Sequence, residues 1–198
     1  GARLLQGEAQ EAKKLLEQSL SLKDNSLFAF TLFSTMELIQ NHKKKAQDYA
    51  LRALVMHPKS ESANITAGEI AQAFFNLERP ELMYSAALEI NPESVKARVS
   101  RARVLFGSGR AQGALRDIEY AEEIRPNDAQ VLSLAGFIKL SNSQKRLARL
   151  SFEKAVKLDP QYGEPHLGLV LVDFREGRNG EGLNEILIAT LIESKVSL

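Results

Sequence analysis

The sequence predicts an all-α solenoid, a run of antiparallel helix hairpins stacked one on the next. Three observations carry this. Pro58, Pro92, Pro126 and Pro160 follow one another at intervals of 34 residues, and a fixed period of this size marks an array of supersecondary units. A second corner, rich in glycine or small polar residues, falls inside each interval. Small side chains also recur at three fixed places along the period.

Each element follows from these marks. Proline biases the residue before it away from the helical region, so a helix ends at every proline corner. Small polar residues after it, Ser60 and Ser62 or Asn127 and Asp128, offer caps for the next helix. The inner corners are "QNHKK", "FNLERPE", "FGSGRAQG", "LSNSQKR" and "REGRNGEG". Gly109 and Gly177 within them suit a helix C-terminus, where positive φ costs glycine nothing. Such short turns make neighbouring helices antiparallel. The complete units are 27–60, 61–94, 95–128, 129–162 and 163–196. Residues 1–26 form a partial repeat that starts at its ninth place, and Ser197 and Leu198 open another. Both ends fall inside the period, so the 198 residues read as a single array cut from a longer chain.

Counting 27, 61, 95, 129 and 163 as first places, the eighth holds Ser34, Gly68, Ala102, Gly136 and Val170. The twentieth holds Ala12, Ala46, Pro80, Ala114, Ala148 and Gly182, and the twenty-seventh Ser19, Ala53, Ala87, Ala121, Ala155 and Ala189. Small side chains at fixed places let two backbones approach, so these mark helix crossings. Larger residues fill around them, among them Leu16, Tyr84, Ile118, Phe152 and Ile186 at the twenty-fourth place.

This pattern resembles the tetratricopeptide repeat family over essentially the whole chain. The unit 129–162 is the nearest copy, with Gly136, Ala148, Phe152, Ala155 and Pro160 where the family places them. The resemblance implies a right-handed superhelical solenoid that serves as a protein-interaction scaffold. Some positions depart from the pattern. The family's aromatic at the fourth place is present as Phe30 but replaced by Asn64, Arg98, Leu132 and His166. Arg101 stands at a usually apolar place, and Pro80 is tolerable only in a helix's first turn.

Composition removes several function classes. Of the residues 44% are apolar and 26% charged, and 26 basic against 25 acidic side chains leave a net charge of +1. A whole-domain positive field for nucleic acid is therefore missing. There is no cysteine, which excludes disulfides, thiolate metal sites and cysteine nucleophiles. It also leans toward an exported or periplasmic bacterial protein, although cysteine-free cytosolic chains are common and no targeting segment is visible. The apolar run Leu167–Val172 is far too short to span a bilayer. "GSGRAQG", Gly107 to Gly113, misses the dinucleotide fingerprint by one residue and links two helices where a strand is required. His42, His57 and His166 fall at unrelated places, so no metal is expected, and no cofactor either. "NIT", Asn64 to Thr66, is a formal glycosylation sequon inside a predicted helix. Glu122 and Glu123 read as a solvated surface pair. With no nucleophile–base constellation, the chain is expected not to be an enzyme.

In the family, the first helices line a groove through their second, fifth, ninth and twelfth places, a spacing that falls on one helical stripe. Carried over, the candidate partner-binding residues are Lys96, Val99, Arg103 and Phe106, then Gln130, Ser133, Phe137 and Leu140. Glu164, Leu167, Leu171 and Phe174 extend the stripe. The family's clamp for the C-terminus of heat-shock chaperones is not matched: the corresponding places hold Thr31, Thr35, Thr66, Lys96 and Ser100, and only Lys96 fits. The expected partner is therefore an unidentified protein or peptide, carrying both carboxylates and large apolar side chains. Competing expectations are a self-associating module and a substrate-recruiting part of a larger enzyme. A bland account also exists for Lys96, Arg98, Arg101 and Arg103: a solvated helix surface, with Arg103 paired to Glu69.

Overall fold

The computed structural model describes Glu11, Lys14, Leu15 and Gln18, and then residues 26–74 and 78–178. The expectations on repeat 1–26, with Ala12, Leu16 and Ser19, and on Gly182, Ile186 and Ala189 lie outside the described residues. Among the described residues the regular structure is helical: α1 (Leu27–Ile39), α2 (Lys43–Met56), α3 (Glu61–Gln72), α4 (Glu78–Ile90), α5 (Val95–Gly107), α6 (Ala111–Ile124), α7 (Ala129–Ser141), α8 (Lys145–Leu158) and α9 (Gly163–Glu176).

The helix boundaries have local causes that keep the 34-residue period. Ser26 and Ser60 accept hydrogen bonds from the N–H groups of Ala29 and Ala63 at 3.3 Å, and Ser94 from that of Ala97 at 3.1 Å. Asp128 accepts from Gln130 and Val131 at 3.0 and 3.2 Å. Each satisfies donors that a helix start leaves unpaired. The caps are thus Ser60 and Asp128 rather than Ser62 and Asn127. At the other end, Gly109 and Gly177 take left-handed φ of 76° and 79°. Asn41 and Ser143 adopt the same conformation at φ 61° and 62°. Helices α2, α4, α6 and α8 stop at Met56, Ile90, Ile124 and Leu158, two residues before each proline.

The chain divides into two compact units, residues 1–97 and 98–198, with the division inside α5. In the first, α1 packs on α2, α2 on α3, α3 on α4, and α1 also on α3. In the second, α6 packs on α7, α7 on α8, α8 on α9, and α7 also on α9. The small-residue places at Gly68 and Gly136 prove to be close approaches, and Gly168, outside those places, is another. The Phe152 ring of α8 lies so near α7 and α9 that a Cβ built on Gly136 would fall 2.4 Å from it, and one on Gly168 2.3 Å. Both are far inside contact distance. Tyr84 of α4 repeats the arrangement against Gly68 of α3, at 2.6 Å. Ala46, Ala53, Ala87, Ala114, Ala121, Ala148 and Ala155 are fully buried.

Where the fourth place lacks its aromatic, polar groups take over. Asn64 is buried and donates to the carbonyls of Pro58 and Ser60 at 3.1 and 2.9 Å. His166, also buried, lies with Nε2 3.2 Å from the Pro160 carbonyl and donates to it. Both tie the start of a first helix to its proline corner. The Asn64 amide is therefore enclosed rather than presented as a glycan acceptor.

Two surface readings need correction. Arg98 and Arg101 are half-buried and paired rather than solvated: Asp117 of α6 is only 3% exposed, and it takes Arg101 Nε and Nη2 at 2.7 and 2.8 Å and Arg98 Nη1 at 3.5 Å. The Arg98 guanidinium also stacks 3.9 Å above the Tyr120 ring. A buried carboxylate must be paired, and this one explains arginine at an apolar place. Glu122 is not a free surface acid either. It accepts from Lys139 Nζ at 2.6 and 2.8 Å and from Ser151 Oγ at 3.1 Å, a part-buried cluster joining α6, α7 and α8.

Candidate functional site

The candidate residues lie on two first helices, and their environments differ. On α5, Lys96 is exposed but not free, since its Nζ is 2.8 Å from Glu69 Oε1 in the first unit. Glu69 thus takes Lys96, where the sequence suggested Arg103. Arg103 is exposed, with Val99 and Phe106 half-buried on the same stripe. On α7, Gln130 is exposed and Phe137 half-buried. Ser133 and Leu140 are buried and present no surface to a partner. Phe137 also packs inward, its ring 4.9 Å from that of Phe152 and edge-on at 71°. Its role is shared between the hairpin core and the surface.

A residue outside the sequence-derived set lies beside one of these groups, Ser133. Tyr162 precedes α9 at the position where Ser26, Ser60, Ser94 and Asp128 cap their helices, and it makes no side-chain cap. Instead its hydroxyl donates to Glu164 Oε2 at 2.5 Å, and Ser133 Oγ lies 3.5 Å from the same oxygen. Partial burial pushes the Tyr162 hydroxyl up to about 12, with the bond to the Glu164 carboxylate and its charge acting the same way. A hydrogen bond with Ser133 and the positive charge of Arg103 oppose the rise. Ser133 from α7 and Glu164 from α9 therefore meet beside one phenol, which also feels the positive charge of Arg103 from α5. The signal in the sequence was the break in a row of capping residues at Tyr162.

Beyond it, Leu167, Leu171 and Phe174 run along one stripe of α9 and expose 41%, 46% and 47% of their surfaces. The face thus combines a cation and a tyrosine–glutamate pair with large apolar side chains. Such a combination suits recognition through charge and apolar contact.

Comparison with known proteins agrees with the architecture. No family model matches the chain. Tetratricopeptide repeat protein 6 of Homo sapiens is 29% identical over 119 residues, covering 60% of this chain and 23% of that protein. The chain thus spans less than a quarter of the length of this curated relative. Among solved structures, MamA from Desulfovibrio magneticus RS-1 superposes with a TM-score of 0.75 at 18% identity, over 85% of this chain and 96% of that one. The chain has the tetratricopeptide-repeat fold. Two further tetratricopeptide-like neighbours are PilF of Pseudomonas aeruginosa and YrrB. PilF has a TM-score of 0.75 at 16% identity, over 85% of this chain and 77% of that one. YrrB, described as a TPR protein with an unusual peptide-binding site, has a TM-score of 0.71 at 16% identity, over 90% and 92%. Among the described residues of this tetratricopeptide-repeat chain, no helix is long and apolar enough to cross a membrane.

Proposed function

We propose that the chain is a non-catalytic protein-interaction scaffold that holds a peptide segment of a partner against the first-helix face of α5 and α7. The observation that carries this reading is the stripe itself: exposed Arg103 and Gln130 flanked by half-buried Phe106 and Phe137. Arginine and aromatic side chains are favoured anchors at interfaces, and arginine recognises carboxylates with geometric specificity. The partner segment therefore carries acidic and large apolar residues. Ser133 and Leu140 shape the floor beneath it.

The test is a pull-down followed by calorimetric titration of the captured partner's acidic segment. Arg103→Ala and Phe106→Ala are expected to weaken binding by about 1–2 kcal/mol each, as ordinary hot spots do. The Arg103 effect should shrink with added salt. Unchanged affinity for both variants, with helical circular dichroism intact, would place the partner elsewhere.

A further inference from the structure

The first compact unit holds a pocket on helices other than those of the stripe. The twenty-fourth place of a unit is filled by Tyr84, Ile118 and Phe152, all fully buried. In the unit 27–60 it is Ala50. Ser34 and Thr66 stand where Gly136 and Gly168 make room for the Phe152 ring. A pocket of about 170 Å³ lies beside Ala50, lined by Ala50, Leu51 and Leu54 of α2, Ala67 and Ile70 of α3, and Met83 of α4. Gln47 and Arg79 border it and give the mouth a polar rim.

We propose that this pocket binds one phenyl-sized apolar group, the equivalent of the side chain the array supplies for itself elsewhere. Size supports this, since an apolar protein cavity of roughly 150 Å³ takes up benzene and stays dry without it. The lining supports it too. Met83 is a flexible, polarisable side chain that adapts to a ring and makes favourable sulfur–aromatic contacts. The group can reach the pocket as a small molecule or as a side chain of a peptide, and the chemistry recognised is the same.

The experiment titrates the chain with toluene and, separately, with N-acetylphenylalaninamide, reading methyl carbon–proton NMR shifts. Saturable shifts at Ala50, Ala67, Ile70 and Met83, with Ala148 and Ala155 unmoved, are expected for toluene. The same shifts with the amide show that a peptide-borne ring also enters, whereas their absence assigns the pocket to small molecules. Ala71→Leu, which adds bulk to another lining residue, should weaken toluene binding at least tenfold while the spectrum stays folded. Ala50→Leu should do the same and raise the melting temperature by filling the pocket. No saturable shift for toluene, shifts spread evenly over both units, or unchanged affinity in Ala71→Leu would each overturn the proposal.

Discussion

Phe152 is held between two glycines of neighbouring helices, and this reverses a familiar rule. Replacing a mid-helix glycine by alanine ordinarily stabilises by about 0.5–1 kcal/mol. At Gly136 and Gly168 the new methyl would meet an enclosed ring well inside contact distance, so overpacking of roughly 1–3 kcal/mol outweighs the propensity gain. Both Gly136→Ala and Gly168→Ala should lower the urea midpoint. Gly107→Ala, with nothing within 4 Å of its Cβ, should not. Ala155→Leu should be destabilising by a similar amount, because Ala155 is fully buried. Tyr162 gives a second residue-scale prediction. Its proton is held more tightly in the fold, up to about 12 against the ordinary 10.0. That contribution to stability is full below pH 10 and lost as pH rises toward 12. Absorbance titrations of the chain and of Tyr162→Phe should differ by one late-ionising tyrosine.

Between elements, burial decides which ion pairs matter. Lys96–Glu69 is a surface pair, with the lysine side chain 61% exposed, and Glu69→Ala should cost at most about 1 kcal/mol. Asp117 is enclosed and held by a two-point arginine fork between α5 and α6. Asp117→Ala leaves two half-buried guanidinium groups without their anion and should cost about 2–3 kcal/mol, read from denaturant unfolding. The helix corners behave in the same local manner. Gly109→Ala forces a Cβ into the left-handed region that Gly109 adopts at φ 76° and should cost about 1 kcal/mol. At Ser143, already at φ 62° with a side chain, substitution by glycine relieves that strain but loosens the unfolded chain, so the two effects offset.

For the whole molecule, the helical repeat predicts a far-ultraviolet circular dichroism spectrum with the α-helical double minimum and no β signature. Dominant strand character would refute the architecture at once. The repeat was legible because its causes are local: a proline stops a helix, Ser60 or Asp128 caps the next, and glycine or asparagine turns the corner. These act through neighbours within a few residues, so they are written into the spacing of the chain. The charges were not legible in the same way. Arg101 and Asp117 lie 16 residues apart on different helices, and nothing in the spacing marks them as a pair.

By itself the sequence determined the helical class, the 34-residue period and the places where small residues let helices cross. Each follows from backbone preferences that recur with every copy. Only the tertiary structure decided what departures from the period do. Asn64 and His166 brace proline corners, Arg101 neutralises a buried aspartate, and Tyr162 joins Ser133 and Glu164. Ala50 stands where other units place a ring or branched chain, and it lines a pocket. The physical reason is that a departure is defined by what packs against it. Its partners come from other helices, brought near by stacking rather than by sequence distance.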